Sequence, residues 1–329
     1  MRKFRVNIWD KNEYDYPAAY DFVPFIKAYL HEDAEGSKRG VMLVVPGGGY
    51  CMCVPHEGEP VALDFYEKGF DVYVLSYTTD ITFSCPLKDQ PLKDISRAVR
   101  LIRRARLDAG IRNEKLVVCG FSAGAHLCGT LAVHHKDVKD PDKVLNSISN
   151  RPDAAILSYP VITMGRNTHK ETREALLGKS PSKDECDYYS IEKNVDKNTP
   201  PCFIWQTAED ELVPVKNSYL MAQALIDKGI ACAHYVFPLG IHGLSIGREF
   251  PEPEDDYTYA QLYSVVKALY EGSLKGVPAK RINELKKQFP NGAEGNIYNK
   301  ENEEEFRPVH YADVGTWPDL AICFIDNIL

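Results

Sequence analysis

The sequence predicts an α/β fold: a mostly parallel, twisted sheet of eight strands with helices on both of its faces. Short apolar runs typical of buried strands alternate with longer segments of helical periodicity, which is the pattern of βαβ units. The last four of these runs are apolar at nearly every position, as expected of strands that are covered on both faces. The predicted strands are 4–9, 22–30, 41–45, 71–76, 115–119, 153–157, 202–206 and 232–237.

The predicted helices are recognised by an apolar face and by residues that suit a helix end. Val61 and Phe65 share a face, and Gly69 suits the position just after the helix. Pro91 lies in a first turn, where its missing N–H costs little, and Gly229 ends a later helix. The helices predicted between the strands are 58–68, 91–108, 123–135 and 215–228.

The chain is predicted to form one domain over 1–329, because the alternating pattern runs to about residue 245 without a linker or a repeat. Residues 249–310 differ and are interpreted as a helical insertion before a closing helix at 316–328. Two stretches of the insertion, 256–270 and 280–289, have apolar residues at helical spacing. These residues are Tyr259, Tyr263, Val266 and Tyr270 in the first stretch, and Ile282, Leu285 and Phe289 in the second.

Composition argues against several classes of function. A formal net charge of −8 over 329 residues argues against nucleic acid as the main partner. No apolar run approaches the ~20 residues of a membrane span, and no apolar signal-peptide core is visible near the N-terminus. The nine cysteines suit free thiols in a reducing compartment. The "CMC" at 51–53 lacks a second ligand pair for a metal. These features predict a cytoplasmic protein without a membrane partner or a metal.

The motif "GFSAG" at 120–124 lies where a predicted strand turns sharply into a predicted helix. Glycine on both sides of Ser122 allows the close backbone approach of a nucleophile elbow, which exposes the serine hydroxyl above the sheet. The N–H of Ala123 lies at the helix N-terminus, where it favours an anion. We therefore predict that Ser122 is a catalytic nucleophile.

A serine nucleophile needs a base and a carboxylate that orients the base. His242 lies in the glycine-flanked loop "FPLGIHGLS" after the last predicted strand, where open α/β sheets carry functional loops. It is preferred over His126, which lies one helical turn past the serine. Asp210 follows the strand at 202–206 and is our choice for the carboxylate, with Glu209 as its close rival.

The loop "VVPGGGY" at 44–50 follows another strand and is predicted to complete an oxyanion hole. The N–H groups of Gly48 and Gly49 are assigned to it, together with that of Ala123. Tyr50 is predicted to contact substrate, although a packed tyrosine fits the pattern equally well. A phosphate-binding loop is the weaker alternative, because the sequence has no phosphate-binding glycine pattern.

At this point the sequence resembles a known family. The motifs "PGGGY", "GFSAG", "LLGKSPS…YYSIEKNV…TPP", "DELVPV" and "GIHGLS" are similar to those of α/β-hydrolase esterases related to bacterial acetyl-xylan and feruloyl esterases. The resemblance implies the α/β-hydrolase fold with its Ser…Asp…His order. It also implies short acyl esters, such as acetyl esters of plant sugars, as substrates of a serine esterase that uses an acyl-enzyme and no cofactor. Two departures are Pro46, where many lipases carry His, and the length of 249–310.

Three alternatives remain beside the esterase. A peptidase or amidase of the prolyl-oligopeptidase kind would use the same triad, but the sequence has no propeller-like repeats. A lipase would be expected to carry a long apolar lid, and no such segment is visible in the sequence. A silent hydrolase-fold binding protein would be expected to lack a triad residue, whereas all three positions are filled here. A homo-oligomer is compatible with the sequence.

Overall fold

The structure is a computed structural model that describes residues 1–32, 39–111, 114–249, 256–292 and 311–329. Its eight strands form one sheet in the order β1-β2-β4-β3-β5-β6-β7-β8. β2 pairs antiparallel with both β1 and β4, and every other pairing is parallel. All eight predicted strands are present, as β1 Arg2–Asn7, β2 Phe25–Leu30, β3 Val41–Val45, β4 Asp71–Ser76, β5 Leu116–Phe121, β6 Ala154–Ser158, β7 Cys202–Thr207 and β8 Cys232–Phe237.

The helices cover both faces of the sheet. Helices α1 and α10 bury their apolar sides in one cluster, which includes Phe65 and Trp317. Helices α2, α3, α7, α8 and α9 bury theirs in the cluster on the other face. The architecture is that of an α/β hydrolase, as predicted. The helices are α1 Glu59–Glu67, α2 Gln90–Asp108, α3 Ala123–His134, α4 Lys143–Asn146, α5 Lys170–Leu177, α6 Lys183–Tyr188, α7 Lys216–Asp227, α8 Ala260–Glu271, α9 Ala279–Gln288 and α10 Trp317–Ile328.

Strand β8 differs from its predicted environment. Strands β5, β6 and β7 are buried at every position, as their apolar sequences predict. In β8 only Phe237 is buried, and Tyr235 is exposed. This difference arises because β8 pairs with β7 alone and is the last strand on one side of the sheet. An apolar run does not by itself distinguish a central strand from an edge strand.

The described part of the predicted insertion packs against the main body of the fold. Helix α8 buries its apolar side in the same cluster as α2 and α3, and α9 adds Leu285. The buried face of α8 is rotated from the predicted one, since Leu262 and Leu269 are buried whereas Tyr270 is 47% exposed. The Gln261 side chain donates to the Thr79 carbonyl oxygen at 2.6 Å and accepts from the Thr79 N–H at 2.7 Å. The remaining parts of the insertion, 250–255 and 293–310, lie outside the described residues.

The parallel strands determine where a functional site can form. Because β3, β5, β6, β7 and β8 run in one direction, their carboxyl ends lie at the same edge of the sheet. We call this the carboxyl edge, and the opposite one the amino edge. The loops that follow β3, β5, β7 and β8 carry the residues predicted to be catalytic. Among the described residues, no helix is long and apolar enough to cross a membrane.

Candidate active site

The turn between β5 and α3 forms a strained elbow at Ser122. The backbone of Ser122 has φ 51° and ψ −115°, a conformation that is rare for a residue with a side chain. A Cβ added to Gly124 would lie 2.1 Å from the Val45 carbonyl oxygen, and one added to Gly120 would lie 2.4 Å from the Gly124 carbonyl oxygen. Only glycine fits at both positions, so the motif "GFSAG" has the close packing that the sequence predicts.

The structure brings Ser122, His242 and Asp210 together from three different loops. His242 Nε2 lies 2.9 Å from Ser122 Oγ, and His242 Nδ1 lies 2.7 Å from Asp210 Oδ2. Because a carboxylate accepts, the Nδ1–H of His242 donates to Asp210 and leaves Nε2 free to accept the serine proton. The arrangement can therefore activate the Ser122 hydroxyl.

Asp210 is held in place by groups other than His242. Its Oδ1 accepts from the N–H groups of Leu212 at 3.0 Å and Val213 at 2.8 Å. Its Oδ2 also accepts from Gln206 Nε2 at 3.1 Å. Asp210 is 8% exposed, whereas its rival Glu209 is exposed to solvent. Of the two carboxylates, it is Asp210 that contacts the histidine.

The loop after β3 presents its backbone beside Ser122. Gly48 has φ +119° and Gly49 has φ +65°, and both conformations favour glycine. In the part of the chain that the structure describes, no protein group accepts a hydrogen bond from the N–H of Gly48 or Gly49. The N–H of the preceding Gly47, in contrast, donates to Glu57 Oε2 at 2.6 Å. Gly48 and Gly49 thus have N–H groups available to a ligand, and Gly47 does not.

Tyr50 is a packed tyrosine, which is one of its two predicted roles, and its burial does not support the predicted substrate contact. Its side chain is 1% exposed, and its hydroxyl lies 2.9 Å from His126 Nδ1. His126 Nε2 lies 2.8 Å from the Tyr189 carbonyl oxygen, so its Nε2–H donates there and its Nδ1 accepts from Tyr50. Burial lowers the pKa of His126 to about 4, which keeps the imidazole neutral. Tyr50 therefore connects the glycine loop to His126 on α3.

Two residues beside the site escaped the sequence analysis. The Tyr159 ring packs edge-to-face on His242, with ring centroids 4.9 Å apart. His169 Cε1 would lie 3.9 Å from a Cβ added to Gly49, and His169 Nδ1 lies 2.8 Å from Thr172 Oγ1. Burial lowers the pKa of His169. Tyr159 directly follows β6 at the carboxyl edge, and that position was the one signal that could have identified it.

The described residues contain no group of three or more His, Cys, Asp or Glu side chains that could hold a metal ion. All nine cysteines are free thiols, and burial raises the pKa of Cys51 and Cys53 to about 12. These two thiols belong to the "CMC" segment and stay protonated at neutral pH. The reactive geometry at this edge therefore centres on Ser122.

Comparison with known proteins adds family information to this geometry. The model of the BD-FAE family matches residues 27–225, which extend from within β2 to within α7. Endo-1,4-beta-xylanase B of Butyrivibrio fibrisolvens is 58% identical over 249 residues, or 76% of this chain and 39% of the relative. The acetylxylan esterase of Xylanibacter ruminicola is 31% identical over 230 residues, or 68% of this chain and 44% of the relative. The matched region is thus less than half the length of either curated relative.

Solved structures agree with the fold. The acetyl ester-xyloside bifunctional hydrolase from Caldicellulosiruptor lactoaceticus superposes with a TM-score of 0.68 and 31% identity. That alignment covers 82% of this chain and 97% of the other. MGS-M1, an alpha/beta hydrolase enzyme from a Medee basin deep-sea metagenome library, superposes with a TM-score of 0.61 over 100% of this chain and 98% of the other, at 23% identity. The second likeness supports the fold alone.

Proposed function

Because this chain belongs to the BD-FAE family of α/β hydrolases, we propose that it is a serine esterase that removes short acyl groups, above all acetyl, from carbohydrate esters. One observation carries the proposal: the continuous hydrogen-bonded series from Ser122 through His242 to Asp210, with distances of 2.9 and 2.7 Å. The similarity to an acetylxylan esterase and to an acetyl ester-xyloside bifunctional hydrolase supports the substrate class.

In the proposed first half-reaction, Ser122 Oγ attacks the ester carbonyl carbon while His242 Nε2 takes the hydroxyl proton. The carbonyl oxygen becomes an oxyanion, which accepts hydrogen bonds from the N–H groups of Gly48, Gly49 and Ala123. Asp210 stabilises the imidazolium that forms. His242 then donates its proton to the departing alcohol oxygen, which leaves an acyl group on Ser122.

In the second half-reaction a water molecule replaces the alcohol. His242 Nε2 takes a proton from the water as its oxygen attacks the acyl carbon, and the same N–H groups hold the second oxyanion. Collapse of this intermediate returns the proton to Ser122 Oγ and releases the carboxylic acid. The cycle consumes one water and one ester and needs no cofactor.

The identity with xylanase B raises glycoside hydrolysis as a second candidate. Most glycosidases place two carboxyl groups on either side of the scissile bond. Here Asp210 has both oxygens engaged, by His242 and Gln206 on one side and by two backbone N–H groups on the other. A carboxylate held in this way is suited to orient a histidine, and it is poorly placed to protonate a sugar oxygen.

The proposal is tested with a substrate panel in which each alternative has its own readout. We expect acetate release from acetylated xylo-oligosaccharides and from p-nitrophenyl acetate, and much slower turnover of p-nitrophenyl butyrate. Reducing ends should not appear from unsubstituted xylan, and a prolyl p-nitroanilide should stay intact. Reducing ends would favour a glycosidase, anilide cleavage would favour a peptidase, and binding of acetylated oligosaccharides without turnover would favour a silent binding protein.

A further inference from the structure

A buried carboxylate lies beneath the glycine loop, separate from Asp210. Glu57 is 2% exposed, and its two oxygens accept hydrogen bonds from two different loops. Oε2 accepts from the Gly47 N–H at 2.6 Å, and Oε1 accepts from the Tyr159 hydroxyl at 2.7 Å. A buried carboxylate is costly unless its oxygens are hydrogen-bonded, so these contacts hold the two donors at a fixed separation.

The first contact connects Glu57 to the nucleophile and the oxyanion loop. A Cβ added to Gly47 would lie 2.8 Å from Glu57 Oε2 and 3.0 Å from Ser122 Cβ, so Glu57, Gly47 and Ser122 converge on one point. Gly47 directly precedes Gly48. Any shift of the Gly47 N–H therefore moves the N–H groups assigned to the oxyanion.

The second contact connects Glu57 to the loop that carries the base. The Tyr159 ring packs on His242, and the Tyr159 hydroxyl accepts from the Ser245 N–H at 3.0 Å. Burial raises the pKa of Tyr159 well above its usual value, and the charge of Glu57 is the second cause of this rise. The Tyr159 hydroxyl therefore keeps the proton that it donates to Glu57. Tyr159 and Ser245 have φ angles of 35° and 52°. Such strained backbone persists only where its surroundings hold it in place.

We propose that Glu57 is a positioning residue that couples the oxyanion loop to the histidine loop through Gly47 on one side and Tyr159 on the other. It touches no reacting atom. Its effect is to keep the oxyanion N–H groups and His242 Nε2 at one separation around Ser122 Oγ. The inference rests on the proposed esterase function.

Glu57→Gln tests the coupling, because the two donors face different oxygens and the substitution replaces one of these oxygens with an NH2 group, which cannot accept. We expect kcat on p-nitrophenyl acetate to fall about 10- to 100-fold with KM changed less than about twofold, since misplacement of catalytic groups acts on the transition state. Tyr159→Phe keeps the ring on His242 and removes only the hydroxyl. Like Glu57→Gln, this variant should have a lower kcat and a nearly unchanged KM. In the double variant the fall in kcat should be smaller than the product of the two single falls.

The matched control is Asp71→Asn, which makes the same change at a buried carboxylate of the amino edge, where Asp71 begins β4. This substitution should lower the urea concentration at the midpoint of unfolding and leave kcat and KM unchanged. A Glu57→Gln variant that loses stability like the control but keeps its kcat would overturn the inference. So would falls in kcat that multiply in the double variant. If Glu57→Gln does not fold, Tyr159→Phe alone decides: unchanged kcat overturns the inference.

The rate at which a fluorophosphonate labels Ser122 separates this inference from the proposed function. Labelling requires the activated serine and the oxyanion N–H groups, but it does not require the correct ester. Wild-type protein that labels and hydrolyses no ester contradicts the proposed function alone. Slower labelling of Glu57→Gln and Tyr159→Phe still supports the coupling, and unchanged labelling rates contradict it.

Discussion

In the loops around the triad, at the carboxyl edge of the sheet, four described residues with side chains have positive φ angles, whereas the amino edge is held by ion pairs. The four are Tyr50 at 61°, Ser122 at 51°, Tyr159 at 35° and Ser245 at 52°. Each strained residue costs of the order of 1–3 kcal/mol, and all four lie in the loops around the triad. This edge also holds the buried polar groups Glu57, Asp210 and His126.

The described part of the amino edge combines ion pairs with a backbone in which only glycines have positive φ angles. Asp71 accepts from Arg106 Nη1 at 2.7 Å, and Asp153 accepts from Arg103 Nη2 at 2.9 Å. Arg106 also pairs with Glu114. Arg103, Arg106, Glu114 and Asp153 line a groove of about 750 Å³, and their charged groups are paired with one another. Among the described residues, the lining of the groove includes Ser147 and Ser149 but no histidine that could activate them.

The contrast indicates how the fold divides its tasks. Strain and buried polar contacts concentrate where the proposed chemistry needs atoms in one arrangement, and cooperative charge pairs stabilise the opposite edge. Substitutions at the carboxyl edge should therefore affect turnover first, and those at the amino edge should affect stability alone.

The largest effect is expected for Ser122→Ala. Without the nucleophile, kcat on p-nitrophenyl acetate should fall by about 10⁴- to 10⁶-fold. The matched control is Ser147→Ala, an exposed serine in the amino-edge groove, which should keep full activity. Initial rates of both purified variants provide the comparison, and a Ser122→Ala variant with near wild-type kcat would refute the nucleophile assignment.

Asp210→Asn should have the next largest effect. The amide leaves His242 in the wrong tautomer, so kcat should fall by about 10⁴-fold. Glu209→Gln changes an exposed neighbour and should leave kcat nearly unaltered. Steady-state kinetics of the pair would show the reverse order if Glu209 were the orienting carboxylate.

Asp71→Asn tests the expectation that the amino edge contributes to stability and not to turnover. Removing one partner of a buried charge pair should lower the free energy of unfolding by about 3 kcal/mol. Turnover should be unchanged, because Asp71 lies at the amino end of β4. Urea unfolding and initial rates measure the two quantities, and a large fall in kcat would show that the two edges are not independent.

The smallest expected effect is the pH dependence contributed by His126. Its folded-state pKa of about 4 lies below the ~6.5 of an unfolded histidine, so the unfolded state binds the proton first as pH falls. The stability contributed by keeping His126 neutral is complete above pH ~6.5 and decreases toward pH ~4, by about 2 kcal/mol at pH 5. Urea unfolding at pH 7 and pH 5 should show a smaller loss for His126→Gln than for wild type. Equal losses would contradict this account of His126.

The sequence predicts the eight strands and the three loops of the triad, because periodicity and glycine spacing are local properties. It does not predict the role of Tyr50, because Tyr50 is fixed by His126 on another element. Glu57 was missed for the same reason. A glutamate in a turn is usually solvated, and only the tertiary fold places its carboxylate between Gly47 and Tyr159. The edge position of β8 and the rotated face of α8 likewise depend on which elements pack beside them.

If the carboxyl edge works through an acyl group on Ser122, peptide mass spectrometry should detect that group during turnover. The protein is mixed with p-nitrophenyl acetate, quenched in acid within the first turnover and digested. We expect the added mass of one acetyl group on the peptide that contains Ser122, and no added mass on that peptide in Ser122→Ala. Steady turnover with the acetyl group on another residue, or turnover that persists in Ser122→Ala, would contradict this expectation.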